Sequence, residues 1–163
     1  MRCVVNLLED NILQFEKFSH GEFYSGSSAE IANKWETKKL GFHLEVLDPG
    51  KFSCPYHFHH EEEELFLIIK GKAMVRQDNE FFEVKEGDLI LFKTRVAHQF
   101  YNHTSDPFTF LALSDKSSNE VCEYPDSKKK WERASKKLTQ NGAEVSDYWI
   151  GEENPKSKWA KDF

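Results

Sequence analysis

The sequence predicts an all-β protein, a β-barrel or jelly roll, on three observations. Short apolar segments alternate with period two from Leu40 onward, turn residues punctuate them at the spacing of a sandwich or barrel, and aromatic or β-branched residues fill many of the segments. A chain of 163 residues fits one domain with extensions.

LGFHLEVL, from Leu40, is the first predicted strand, stopped by Asp48-Pro49-Gly50. ELFLIIK, from Glu64, ends at Gly71. AMVRQ runs into Asp78-Asn79-Glu80 and FFEVK answers it, the pattern of a hairpin turning at Asp-Asn. DLILFK, AHQFYN, PFTFLALS and EVCEY follow, so that about eight strands are expected between residues 40 and 124. After Pro125-Asp126 the period switches. Trp131, Ala134 and Leu138 fall at i, i+3 and i+7, which predicts a short C-terminal helix ended by Asn141-Gly142. In the aromatic tail, Trp149, Ile150 and Trp159 are expected to dock on the barrel or on a second subunit. The predicted organisation is an N-terminal arm over 1–39, the barrel over 40–124, and helix and tail over 125–163.

A formal charge of −6 argues against nucleic acid as a partner, since phosphate binding needs a basic face. The basic run SKKKWERASKK, from Ser127, reads as a solvated helix face, and no helix-turn-helix is visible. Cys3, Cys54 and Cys122 are far apart without CxxC spacing, which suggests neither a disulfide framework nor a thiolate zinc site and fits a reducing cytoplasm. The apolar run near the N-terminus is broken by Glu9 and Asp10, too short for a signal segment or a membrane span. A cytoplasmic protein with no membrane partner is expected, and the sequon at Asn102 is expected to carry no sugar.

The chemistry concentrates in YHFHHEEEE, from Tyr56 to Glu64. Strand alternation puts His57 and His59 on one face and Phe58 and His60 on the other, so two imidazoles can meet inside a barrel while His60 is excluded. A carboxylate completing such a site must come from beyond a short turn. Glu61 to Glu64 supply four candidates; three can be turn charges in water, and Glu64 leads directly into an apolar strand.

These residues resemble the cupin family. Its first motif, G(x)5-6-H-x-H-(x)3-4-E-(x)6-G, is matched by Gly50, His57, His59, Glu64 and Gly71, and the spacing of its second by Gly87, His98 and Asn102. The resemblance covers about residues 40 to 115 and implies a double-stranded β-helix with His57, His59, Glu64 and His98 as metal ligands. More loosely, GFHLEVLDPG, EVCEYPDSKKKW and the aromatic tail look similar to small single-domain cupins labelled as sugar-phosphate isomerases.

Physical chemistry supports the ion beside the family likeness. Three imidazoles and a carboxylate facing a barrel interior are costly when unpaired, and a divalent cation removes that cost. The donor set favours one divalent transition metal, Mn, Fe, Co, Ni or Zn, over Ca or Mg. An octahedral ion would keep two positions open for water or a bidentate small molecule. Where the second motif usually carries Pro and Gly, Lys93 and Arg95 stand, which predicts a different turn or a strained Arg95 and offers two cations for a substrate anion. His43 is a candidate proton shuttle if it faces the pocket. Cys54 reads as an inert buried thiol, and the phenylalanines near the ligands as packing.

Three functions compete. The first is a metal-dependent sugar-phosphate isomerase or epimerase, with His43 or a metal-bound hydroxide as base. The second is an Fe(II) dioxygenase or Mn-dependent decarboxylase. The third is a non-catalytic cupin that binds a small ligand. A homodimer is expected, because sheet edges and apolar tails are commonly covered by a symmetry mate.

Overall fold

The computed structural model describes residues 3–9 and 13–159. Its strands, in chain order, are β1 (Glu16–His20), β2 (Tyr24–Ala29), β3 (Leu40–Leu47), β4 (Phe58–His59), β5 (Glu64–Lys70), β6 (Lys72–Gln77), β7 (Glu80–Lys85), β8 (Leu89–Phe92), β9 (His98–Tyr101), β10 (Phe108–Asp115), β11 (Val121–Tyr124), β12 (Lys129–Glu132), β13 (Lys137–Gln140) and β14 (Ala143–Glu144). A single helical turn, α1 (Ile31–Lys34), and a 3-10 turn at Pro155–Lys158 complete the elements.

The strands form a six-stranded sheet in the order β1-β2-β3-β10-β5-β8, a three-stranded sheet β7-β6-β9, and a five-stranded sheet β14-β13-β12-β11-β4. Period-two alternation decides what each sheet buries. On the large sheet, Ala112 pairs with both Phe66 and His43, and Ser114 with both Glu64 and Gly41, so these side chains share one face. That inward face and the three-stranded sheet enclose a core of Leu47, Phe66, Ile68, Val75, Phe92, Phe100, Phe108 and Phe110. The outward face, at Phe42, Leu44, Ile69 and Leu111, is covered by Val5, Leu7, Leu13, Phe15 and Trp35. The segment read as an N-terminal arm thus adds two strands to the sheet and a lining to its outer face.

The chain reverses between β5 and β6 at Gly71, where φ is +81° and an added Cβ would meet Pro107 O at 2.8 Å. Only glycine fits that combination of backbone and space. The β6–β7 hairpin turns at Asp78-Asn79 as expected, with Gln77 opposite Glu80.

The predicted C-terminal helix is corrected. Residues 129–140 form the β12–β13 hairpin, in which Trp131 and Leu138 are cross-strand partners and Ala134 is exposed in the turn. A three-residue apolar stripe cannot anchor an isolated helix, whereas β11 offers an unpaired edge that β12 completes along four residues. The basic run is therefore a hairpin, and its Lys129 is buried against Glu152 Oε1 at 2.9 Å.

The aromatic tail docks on the barrel. Trp159 packs among Phe52, Phe81 and Tyr101, and its Nε1 donates to Gln99 Oε1 at 2.9 Å. Trp149 stacks on His20 with centroids 4.3 Å apart. No helix among the described residues is long and apolar enough to cross a membrane.

Candidate metal centre

Strand ends bring four side chains to one point. His59 closes β4, Glu64 opens β5 and His98 opens β9, while His57 is tied to His98 by paired backbone hydrogen bonds of 3.2 and 2.8 Å. The Nε2 atoms of His57, His59 and His98 lie 3.7, 3.2 and 2.9 Å from Glu64 Oε2. The four residues implied by the cupin resemblance therefore converge as a set.

The outer nitrogens settle the tautomers. His57 Nδ1 contacts Pro55 O at 2.9 Å and His98 Nδ1 contacts Val96 O at 3.1 Å. A carbonyl oxygen only accepts, so each Nδ1 carries a proton and each ring, in its neutral form, turns a lone pair inward at Nε2. His59 Nδ1 likewise donates to Glu120 Oε1 at 3.1 Å. Lone pairs on three nitrogens then face a carboxylate oxygen, and His59 Nε2, His98 Nε2 and Glu64 Oε2 are buried without a well-directed hydrogen bond. Although His98 Nε2 and Glu64 Oε2 approach to 2.9 Å, two acceptors repel unless a cation lies between them. These orphaned atoms fit a divalent ion.

Positive charge is favoured beside Glu64: burial opposes its carboxylate, but hydrogen bonds from His57, His59 and His98 hold the carboxyl well below its ordinary range, and the His57 imidazole, although burial opposes its charge, is raised well above its own. Burial pushes the His98 imidazole down, towards the neutral form that ligation needs. His98 is 2% exposed and stacks on Phe92 with centroids 3.9 Å apart, so its ring cannot swing away.

Glu120 is the supporting residue that spacing did not reveal. Its Oε1 also accepts the His60 N–H, and its Oε2 accepts the N–H groups of Glu61 and Glu62, so one carboxylate shapes the turn between two ligands. Nothing in the sequence around Glu120 marks it. Glu62, expected as a turn charge in water, is instead buried and bound by Arg133 and by the Ser117 N–H. His60 points away, to Glu123 Oε1 at 2.8 Å. Asn102 pins a loop through Leu47 O, Asp48 O and Asp106 O.

A cavity of about 200 Å³ reaches Glu64 and is lined also by Asn33, His43, Ser114, Lys116 and Arg133. His43 shares the inward face with Glu64 and lies 3.5 Å from Glu45 Oε2. Larger cavities of about 420 and 680 Å³ lie under the N-terminal segment and include none of the four ligands. Lys93 and Arg95, expected as cations for a substrate anion, are both exposed and do not line the cavity at Glu64, and the Arg95 guanidinium meets His60 Nδ1 at 3.3 Å. The loop that holds them is fixed to β4 by the hydrogen bond from Arg95 N to His59 O. Arg95 does adopt φ +65°, the strain expected where the motif usually has glycine.

Two thiols flank His57. Cys54 Sγ is 3.6 Å from its Nδ1, and the ligand atoms of His57, His59 and Cys122 lie within 4.8 Å of one another. Burial pushes the Cys122 thiol up to about 11.

Comparison with known proteins gives a consistent result. Residues 43–114 match the cupin domain family. An uncharacterized protein of Methanocaldococcus jannaschii is 36% identical over 70 residues, 43% of this chain; the match spans about half of that relative, 56% of its length. A sugar phosphate isomerase of the cupin superfamily from Silicibacter pomeroyi superposes with a TM-score of 0.74 at 23% identity, over 90% of this chain and all of that one. A structure from Acidithiobacillus ferrooxidans, whose name proposes the same activity, gives 0.73 at 23% identity over 88% of this chain and 90% of that one. A predicted oxalate decarboxylase from Thermotoga maritima gives 0.58 at 19% identity, over 69% of this chain and all of that one. Motif, ligand geometry and superposition agree: residues 43–114 match the cupin domain family, and the chain has the double-stranded β-helix fold of the structures it superposes on.

Proposed function

We propose that the chain is a metal-dependent isomerase or epimerase acting on a small oxygenated metabolite, with sugar phosphates the favoured class. The observation that carries this reading is the convergence of three imidazole lone pairs on Glu64 at the wall of a cavity that also holds His43 and two cations. The names of two structural neighbours agree with it.

His57, His59, Glu64 and His98 would hold one divalent transition metal, Mn, Fe, Co, Ni or Zn. When bound, the ion supplies Lewis-acid polarisation of a carbonyl and its adjacent hydroxyl. His43 takes and returns the substrate proton at the ring nitrogen turned away from Glu45, whose Oε2 holds the ring in place at 3.5 Å from Nε2. Lys116, whose Nζ is steadied by Thr37 O at 3.2 Å, binds the anionic end of the substrate in the role first given to Lys93 and Arg95. Core phenylalanines behind His98 keep water from the inner side of the centre.

Elemental analysis of protein purified without chelator, beside His57→Ala and His98→Ala, tests the ligand set; near-stoichiometric metal in the wild type and its loss in both variants is expected. A panel of sugar phosphates assayed without oxygen tests the reaction. Turnover that consumes oxygen would reassign the protein to the dioxygenases, release of carbon dioxide to the decarboxylases, and tight binding without turnover to the ligand-binding cupins.

A further inference from the structure

We propose that Cys122 is a fifth, soft donor of the metal centre, recruited by thiophilic ions such as Zn(II) and Co(II) and left protonated by Mn(II). This rests on the reading of His57, His59, Glu64 and His98 as metal ligands, and adds to it a residue outside the cupin motifs.

Placement carries the argument. In the pairing of β11 with β4, Cys122 is the direct cross-strand partner of His59, and its side chain lies on the ligand side. Its sulfur falls within 4.8 Å of the ligand atoms of both His57 and His59. Cys122 is a free thiol, 5% exposed, so neither a disulfide nor water competes for it. The other nearby thiol makes an internal contrast. Cys54 Sγ approaches His57 at Nδ1, the outer nitrogen that is already bonded to Pro55 O, and so it sits behind the ring rather than before the ion.

Charge supplies the driving force. A divalent ion held by three neutral imidazoles and one carboxylate keeps a net positive charge in a largely buried site, and one thiolate cancels it. On coordination the metal–Sγ bond forms, the S–H bond breaks and the proton leaves to solvent; no electrons are transferred. A soft sulfur rewards Zn(II) and Co(II) and offers little to Mn(II), so Cys122 makes the centre more selective than its hard and borderline donors alone. It would also occupy one of the positions otherwise open to substrate, so the thiophilic ions bind more tightly and leave less room for a bidentate ligand.

The test is a titration of the whole, chelator-stripped protein with Co(II) under nitrogen. A near-ultraviolet sulfur-to-cobalt charge-transfer band that saturates at one equivalent is expected. It should vanish in Cys122→Ser, which still binds one cobalt with visible ligand-field bands, and persist in Cys54→Ser. The preference for Zn(II) over Mn(II) should fall by at least about tenfold in Cys122→Ser, on the scale of a lost supporting group. Zinc absorption-edge scattering on the wild type needs no variant, and a sulfur shell at about 2.3 Å beside nitrogen and oxygen at about 2.0–2.1 Å is expected. Ligand-field bands that disappear in His98→Ala, with no charge-transfer band and no sulfur shell in the wild type, would overturn the role of Cys122 while leaving the metal centre standing. A band that survives Cys122→Ser also overturns it. Absence of any cobalt binding would remove both this inference and the reading beneath it.

Discussion

The Nδ1 of His59 donates to Glu120 Oε1 at 3.1 Å, and Glu120 is 1% exposed with three backbone N–H groups of the 60–62 turn on the same carboxylate. The carboxylate therefore fixes both the tautomer of one ligand and the path of the chain to the next, Glu64. Glu120→Ala should weaken metal binding by about 10- to 100-fold, the usual effect of losing such a support. It should also cost about 2–4 kcal/mol of stability, because buried donors lose their acceptor. Glu120→Gln, which keeps an acceptor, should lose less of each. Competition with a chromophoric chelator and urea unfolding of the apoprotein measure the two effects separately. Unchanged metal affinity in Glu120→Ala would show that His59 is oriented by its strand alone.

The four inward-facing ligand atoms make the centre a point of stored repulsion that an ion relieves. Loading at about 100 times the dissociation constant should add about 2.7 kcal/mol to the folded state. For a chain of this size that corresponds to a rise of about 5–10 °C in melting temperature. Glu64→Gln removes the charged donor and should abolish most of the rise. Differential scanning calorimetry with and without chelator gives the comparison, and an equal rise in Glu64→Gln would place the stabilising ion elsewhere.

The barrel and its four candidate ligands were legible in the sequence for different reasons. Strands such as LGFHLEVL and ELFLIIK declare themselves as short apolar runs bounded by turn residues, as expected of strands packed on both faces. The ligands were legible because adjacent strand ends constrain spacing: His57 and His59 must be two apart to share a face. Glu120, Lys116 and Arg133 were not, since they come from the β10–β11 loop and the β12–β13 turn, more than fifty residues along the chain from His59, Glu64 and Glu62 beside which they lie. The β12–β13 hairpin was misread because Trp131 and Leu138 lie seven apart, a separation that fits two turns of helix and a hairpin equally well. What chose between them was the free edge of β11, a tertiary feature with no local trace.

The His43–Glu45 pair predicts a pH dependence. Burial opposes charge on His43, but its contact with Glu45 outweighs burial and raises the imidazole above 6.5; burial raises the Glu45 carboxyl above 4.5, with His43 partly offsetting it. Both shifts are upward, so above their ordinary values the folded state binds more protons than the unfolded chain. The pair's contribution is then fully present below about 4.5 and is lost as pH rises through the two raised values. Glu30 and Glu64 also face His43 and push its shift in the same direction. The unfolding free energy of wild-type apoprotein minus that of His43→Asn should therefore decline with rising pH across this window. A difference that rises with pH would mean that burial, not Glu45, controls His43.

Trp159 tests whether the tail belongs to the folded unit. Its ring is 7% exposed and packs against Phe52 with centroids 5.4 Å apart, and its Nε1 donates to Gln99, which is itself 1% exposed. Trp159→Ala should cost about 3–5 kcal/mol through lost packing and the cavity left behind. Trp159→Phe retains most of the ring but leaves Gln99 Oε1 without its donor, and should cost about 1–3 kcal/mol. Urea unfolding separates the cases. If both variants unfold like the wild type, the tail rests on the barrel without stabilising it. If Trp159→Phe loses as much as Trp159→Ala, the buried amide of Gln99 is the dominant contact. Gln99 Nε2 also donates to Cys54 O at 2.7 Å, three residues before His57, so in that case tail docking and the geometry of the first ligand share one hydrogen-bonded link.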